Sequence, residues 1–227
     1  MRKIKQIVLS IVTLFLILQS VIVSAQTWVQ VTSVPNPGTE PSISVVNSNV
    51  AWIAGGTANN PIIFRTLDGG QSWLSVSTQG TLNQLRCISA ISANSAYVGE
   101  GFINSYSRIY KTNDLNPWSM VLQTGQNDGT FNNLIFSKTN PNIGCALADE
   151  MFITTNGGNT WIQCSTGATG VSSAQNSLMF LDNNFFGFGL KNGAARVRMS
   201  VNGGSTWSTK NVNIPGMRKI IHKTGAV

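Results

Sequence analysis

Thr154-Thr155-Asn156-Gly157-Gly158-Asn159-Thr160-Trp161 recurs as Ser200-Val201-Asn202-Gly203-Gly204-Ser205-Thr206-Trp207 and as Thr66-Leu67-Asp68-Gly69-Gly70-Gln71-Ser72-Trp73. An eroded copy runs Lys111-Thr112-Asn113-Asp114-Leu115-Asn116-Pro117-Trp118. The closing tryptophans are 45, 43 and 46 residues apart, and a step of 45 back from Trp73 lands on Trp28. A regular period of this length marks a repeat protein, so the architecture is read from the repeat before anything else. Asp or Asn followed by Gly-Gly has the composition of a tight hairpin turn, because glycine accepts positive φ without a Cβ clash. The Asp or Asn side chain accepts from backbone N–H groups further on and closes an Asx-type turn. Flanking Ser and Thr hydroxyls complete the local network, and Trp opens the outgoing strand.

The pattern Ser/Thr-x-Asp-x-Gly-x-Thr-Trp resembles the Asp-box (BNR) repeat of sialidase-like and sortilin-like β-propellers. Its Asn-Gly-Gly-x-Thr-Trp form is most similar to exported, photosystem II assembly-factor-like bacterial propellers. The resemblance covers roughly residues 28–213. Aligned on the tryptophans, the box positions are Thr66, Asp68, Gly70, Ser72 and Trp73, then Asn113 and Trp118. The third copy supplies Thr154, Asn156, Gly158, Thr160 and Trp161, and the fourth Ser200, Asn202, Gly204, Thr206 and Trp207. Asn stands for Asp at 113, 156 and 202, and Asp114-Leu115 takes the place of the glycines in the second copy.

Each period also contains four short runs rich in β-branched and aromatic residues, separated by Gly, Asn, Ser and Pro clusters. They are Ser42–Val46, Val50–Ala54, Ile62–Thr66 and Trp73–Val76; Arg86–Ile91, Ala96–Gly99, Arg108–Thr112 and Trp118–Leu122; Asn133–Phe136, Gly144–Ala148, Met151–Thr154 and Trp161–Cys164; Ser177–Leu181, Phe185–Gly189, Arg196–Ser200 and Trp207–Lys210. The predicted fold class is all-β: a partial β-propeller of about four four-stranded antiparallel blades, with a box turn between strands three and four of each. Trp28–Val31 matches the fourth strand of a ring-closing blade, and Met217–Lys223 the inner strand of a fifth. The expected domain is therefore an incomplete propeller over 26–227, as in a fragment of a longer protein.

Residues 1–25 are predicted to be a signal peptide. Arg2, Lys3 and Lys5 precede an apolar stretch from Ile7 to Leu18, and Val23-Ser24-Ala25 is a small-residue cleavage site. A membrane anchor is the competing reading. The leader takes three of the 15 basic residues, which leaves 12 against 8 acidic ones and a net charge of +4. The bases form no stripe with interleaved aromatics, so nucleic acid is not an expected partner. The membrane enters only through the export signal. Three cysteines in an exported chain leave at least one unpaired. Cys145 and Cys164 fall on strands two and four of one blade, too far apart for a disulfide. All three are expected to be buried free thiols.

Blade topology places the strand 1–2 turns and the box turns on one face, where Asp68, Asp114 and Asp182 serve turns. The other face collects Glu100, Asp128, Asp149 and Glu150 with Asn59, Asn60, Asn104 and Tyr106, the candidate binding residues. The expected function is a secreted, non-catalytic binding or scaffold module for an unidentified protein, peptide or glycan on that face. The alternative is a glycoside hydrolase, which needs two placed carboxyl groups; Glu100 and Asp149 would be its first candidates. The sialidase Arg-Ile-Pro signature is absent, and no Glu-Arg constellation is visible beside Tyr97, Tyr106 or Tyr110. His222 is the only histidine, no cofactor loop is present and no Cys/His spacing makes a metal site. Asp149-Glu150 would hold calcium at best weakly.

Overall fold

A computed structural model describes residues 33–38, 41–78, 82–101, 106–115, 117–126, 129–148, 150–164, 177–181, 184–191, 194–202 and 205–211, with backbone alone for 177–198 and 209–211. The chain divides into two units, Met1–Thr32 and Ser33–Val227, and the described residues belong to the second. The leader, Trp28–Val31 and Met217–Lys223 lie outside them, as do Asn104, Asp128, Asp149, Asp182, Gly204 and His222.

Among the described residues, sixteen strands make four antiparallel sheets, each in simple meander order. The first holds β1 (Ser42–Val45), β2 (Ala51–Thr57), β3 (Asn60–Thr66) and β4 (Leu74–Ser75). The second holds β5 (Leu85–Ala90), β6 (Ala96–Glu100), β7 (Arg108–Thr112) and β8 (Ser119–Gln123). The third holds β9 (Asn133–Phe136), β10 (Gly144–Leu147), β11 (Met151–Thr154) and β12 (Ile162–Cys164). The fourth holds β13 (Ser177–Leu181), β14 (Asn184–Lys191), β15 (Ala194–Ser200) and β16 (Ser208–Asn211). No helix occurs among the described residues. Every sequence-derived run overlaps its strand, and the four box tryptophans each stand immediately before the outermost strand. The all-β partial propeller is the observed architecture.

Register makes the sheets superimposable. Ala51 faces Thr66, Ala96 faces Thr112, Gly144 faces Thr154 and Phe185 faces Ser200. These pairs identify equivalent positions throughout, and they correct one alignment. Thr112, not Lys111, matches Thr66 and Thr154, so Asp114, not Asn113, occupies the acidic box position. Leu115 then occupies the first glycine position. It is the one non-glycine residue with positive φ among those described, at 68°, and its N–H donates to Asn94 O as those of Gly69 and Gly157 donate to Asn49 O and Asn142 O. The second turn is one residue shorter than the others, which shifts any reading anchored on Trp118. Asn113 is simply exposed. Without the box network, the buried Thr112 hydroxyl has no hydrogen-bond partner.

Successive sheets pack face to face and bury their apolar positions in the seams. The first seam buries Trp52, Ala54 and Ile63 against Ile88, Val98 and Trp118; the second buries Tyr97 and Ile109 against Leu134, Phe136 and Phe152. Burying such side chains contributes about 1.5–3 kcal/mol each. Two polar devices repeat across these seams. Ser44 Oγ accepts from Ala90 N (2.9 Å), and the equivalent Ser89 Oγ accepts from Phe136 N (3.2 Å). An aromatic residue paired across strands with a cation reaches the next sheet's turns. Trp52 Nε1 donates to Ser92 O (3.0 Å), while Arg65 donates to Ala93 O and to Asn94 Oδ1 (2.7 Å). At the matching positions Tyr97 Oη donates to Gly157 O, and Lys111 Nζ donates to the same carbonyl at 2.8 Å. In the third sheet the three positions carry Ile135, Cys145 and Ile153, and an apolar cluster with Trp207 packed on it replaces both devices.

The cysteines are unpaired. Cys87 and Cys145 are buried, and burial pushes the Cys87 thiol up to about 12. Cys164 is only half-buried, against expectation, because it stands on the outermost strand β12, which pairs with β11 alone.

Candidate functional site

Backbone contacts separate the two ends of the sheets. The box turns bond to the strand 1–2 turns through Gly69–Asn49, Leu115–Asn94 and Gly157–Asn142, which fixes these loops at one end. The described candidate residues stand at the other. Asn59 and Asn60 are exposed at the β2–β3 hairpin, Glu100 ends β6, Tyr106 is half-buried just before β7, and Glu150 is half-buried just before β11. Asn104, Asp128 and Asp149 fall outside the described residues, and the Glu100/Asp149 pair with them.

Glu100 stands out. It is 1% exposed, its Oε1 accepts from Asn83 N at 2.7 Å, and its Oε2 lies 3.8 Å from Arg108 Nη1. Arg108 Nε donates to Gln123 Oε1 at 3.0 Å. Tyr110, also buried, feels both charges. A Glu-Arg constellation therefore does sit beside a tyrosine, contrary to the reading of the sequence. The signal was present: extending the Gly99–Ile109 register by one pair sets Glu100 opposite Arg108. Arg108, Tyr110, Asn83 and Gln123 were the residues missed.

Burial holds the Glu100 carboxyl above its usual range, with the Asn83 amide and the Arg108 guanidinium pulling it partly back. The ionised form is thus the less comfortable one in the folded chain. Stability from this group is full below the unfolded carboxyl value of about 4.3 and declines as pH rises through the folded value. Glu100→Gln keeps an acceptor for Asn83 N–H and removes that decline. Melting curves between about pH 4 and pH 8 should show the variant gaining on the parent as pH rises. A variant that loses ground toward neutral pH would show that Arg108 outweighs burial.

At the box end the polar groups are consumed by the turns. Asp68 accepts from Ser72 Oγ (2.5 Å), Ser72 N (2.9 Å) and Thr66 Oγ1 (2.7 Å), and the Ser72 contacts above all hold its carboxyl at about 2. Asn156 and Asn202 keep the acceptor and reverse the hydroxyl bond: their Nδ2 groups donate to Thr160 and Thr206 at 2.8 and 2.9 Å. Thr154 and Ser200 donate to the same two Asn side chains, and Gly158 N donates to Thr154 Oγ1 at 2.8 Å. A cavity of about 630 Å³ opens between β1, β5 and β9, from Ile43 and Val45 to Ser137–Thr139. None of the sequence-derived site residues lines it. Among the described residues, no group of three His, Cys, Asp or Glu is placed to hold a metal ion.

No protein-family model matches the chain, and no curated protein matches it in sequence. Solved structures do. The GH74 enzyme of Niastella koreensis matches 74% of this chain with 23% of its own, at 16% identity and a TM-score of 0.55. YCF48 from Cyanidioschyzon merolae matches 80% of this chain with 59% of its own, at 19% identity and a TM-score of 0.52. An ancestral GH74 enzyme matches 74% with 25% of its own, at 15% identity and a TM-score of 0.53. The chain thus spans from about a quarter to about three-fifths of the structures it resembles. Likeness at these identities shows the β-propeller fold.

Proposed function

We propose that this chain is an exported, non-catalytic propeller module that recognises a protein, peptide or glycan on the face away from the box turns. The observation that carries the reading is the state of Glu100. It is a carboxyl of that face, and it is closed from solvent against Asn83 and Arg108. Hydrolysis of a glycoside needs an acid that touches the leaving oxygen and a second carboxyl across the bond. Among the described carboxyls, Asp68 and Asp114 belong to the opposite end, and Glu150 stands one sheet away from Glu100, before β11. What the face offers instead is exposed amide at Asn59 and Asn60, half-buried phenol at Tyr106 and the exposed edge of Arg108. Such groups bind carbonyls, hydroxyls and sugar faces.

Glycan arrays and peptide libraries probed with the whole protein are the test. Binding to one class should fall about tenfold, or about 1.4 kcal/mol, in Asn60→Ala or Tyr106→Ala with melting unchanged. Turnover of fluorogenic sialosides or of a β-glycan panel, abolished by Glu100→Gln, would replace this reading with the glycosidase. Export predicts a mature N-terminus at Gln26, readable by sequencing the protein recovered outside the cytoplasm.

A further inference from the structure

The first and third boxes carry the same seat with different groups in it. Asp68 takes Ser72 N, Ser72 Oγ and Thr66 Oγ1 as donors, at 2.9, 2.5 and 2.7 Å. Asn156 Oδ1 takes Thr160 N at 2.9 Å and Thr154 Oγ1 at 3.1 Å. The one inverted bond runs from Asn156 Nδ2 to Thr160 Oγ1, at 2.8 Å. A hydroxyl hydrogen rotates to suit its partner, so Thr160 can donate to a carboxylate at 156 as Ser72 donates to Asp68. The third seat is therefore complete for an acid before an acid is there.

The sequence supplies a route to that acid. Asparagine is a thermolabile side chain, and Gly157 has no Cβ to keep its backbone nitrogen away from Asn156 Cγ. Deprotonated, that nitrogen attacks Cγ, the Cγ–Nδ2 bond breaks, and ammonia leaves a cyclic imide. Water then opens the imide. Cleavage between Cγ and the glycine nitrogen gives aspartate; cleavage at the backbone carbonyl gives isoaspartate. The balance is water in and ammonia out, with no oxidant or reductant. Asn156 is exposed, so water reaches it.

The fold controls the first step. Gly157 N donates to Asn142 O at 2.8 Å, which holds the proton that must leave against a carbonyl, a poor base. Gly157 O accepts from Lys111 Nζ at 2.8 Å and from the Tyr97 hydroxyl, both on the second sheet. The glycine is thus pinned from its own sheet and from across the seam. Amides closed in this way react through transient local opening. We propose that Asn156-Gly157 is a hydrolytic modification site, gated by Lys111 and Tyr97, at which opening of the second seam lets asparagine convert to aspartate. Of the two products, aspartate alone keeps the backbone length that the turn needs, and it closes again on the waiting donors.

Peptide mapping of the whole protein held at mildly alkaline pH tests this, with conversion at 156 read by mass spectrometry. The folded parent should convert about tenfold or more slowly than the same chain in urea. Lys111→Met should speed conversion several-fold and speed hydrogen exchange at the Gly157 amide in step with it. Tyr97→Phe, which keeps a ring to stack on Phe136, should do the same. Asn156→Asp should melt no lower than the parent at neutral pH. Equal rates folded and in urea, or gate variants that convert as slowly as the parent, would overturn the gate. An Asn156→Asp variant that melts well below the parent would overturn the seat, and a chain that stays unconverted in urea would remove the site altogether.

Discussion

Trp52→Ala should lower the unfolding free energy by about 3–5 kcal/mol, the largest loss expected from any single truncation in the first two sheets. The ring is fully buried in the seam between the first and second sheets, among Ala54, Ile63, Ile88, Val98, Tyr110 and Trp118. Its truncation leaves a void that close-packed strands cannot fill without breaking register. The change also removes the 3.0 Å bond from Nε1 to Ser92 O and the ring over which the Arg65 guanidinium sits at 5.9 Å. Trp52→Phe retains much of the burial but not the bond, and should cost about 1–2 kcal/mol. Urea titrations of both variants separate the two contributions, provided the slope stays that of the parent. If Trp52→Ala costs no more than Trp52→Phe, the seam is looser than its burial implies. Hydrogen exchange should speed up at the Ser92–Ser95 turn, which the side chain crosses the seam to hold.

The first two sheets also show what could be read from residues alone. Strand existence was legible because every strand is bounded by turn residues and carries an apolar face, and because four copies average out local ambiguity. The box turns were legible for the same reason wherever the glycines survive. The second turn was misaligned by one because it lost both glycines and one residue together, leaving Trp118 as the single landmark. Only the hairpin register, Ala96 opposite Thr112, restores the equivalence. The candidate site was half legible. Counting residues placed Glu100 at the end away from the boxes, but its burial depends on how Asn83 and Arg108 fold over it. Both lie in the same repeat: Arg108 is the cross-strand neighbour of Glu100 and follows from the register, whereas Asn83 sits in the loop before β5, which no strand periodicity describes. Cys164 failed likewise: strand pattern cannot tell an outermost strand that is covered from one that is half open.

The two glycines of the third box should behave differently, although the sequence presents them as a pair. Both have positive φ, 66° at Gly157 and 75° at Gly158. A side chain in that region costs roughly 1–2 kcal/mol whatever surrounds it. A Cβ on Gly157 would meet nothing closer than Asn142 Oδ1 at 3.4 Å, an ordinary contact. The protein has already made that substitution elsewhere, since Leu115 holds the equivalent position at φ 68°. A Cβ on Gly158 would stand 2.6 Å from Tyr97 Cε1. That ring cannot withdraw, because it stacks on Phe136 with centroids 4.1 Å apart and its hydroxyl is bonded to Gly157 O. Overpacking then adds about 1–3 kcal/mol to the backbone strain. Gly157→Ala should therefore lose about 1 kcal/mol and Gly158→Ala about 3 kcal/mol, measured by chemical denaturation. Gly158→Ala combined with Tyr97→Leu should lose less than the sum of the two single changes, because the second removes the ring that the first collides with. Equal losses at the two glycines would mean that the turn is held by backbone conformation alone, and that the second sheet's aromatic residue does not brace the third sheet's box.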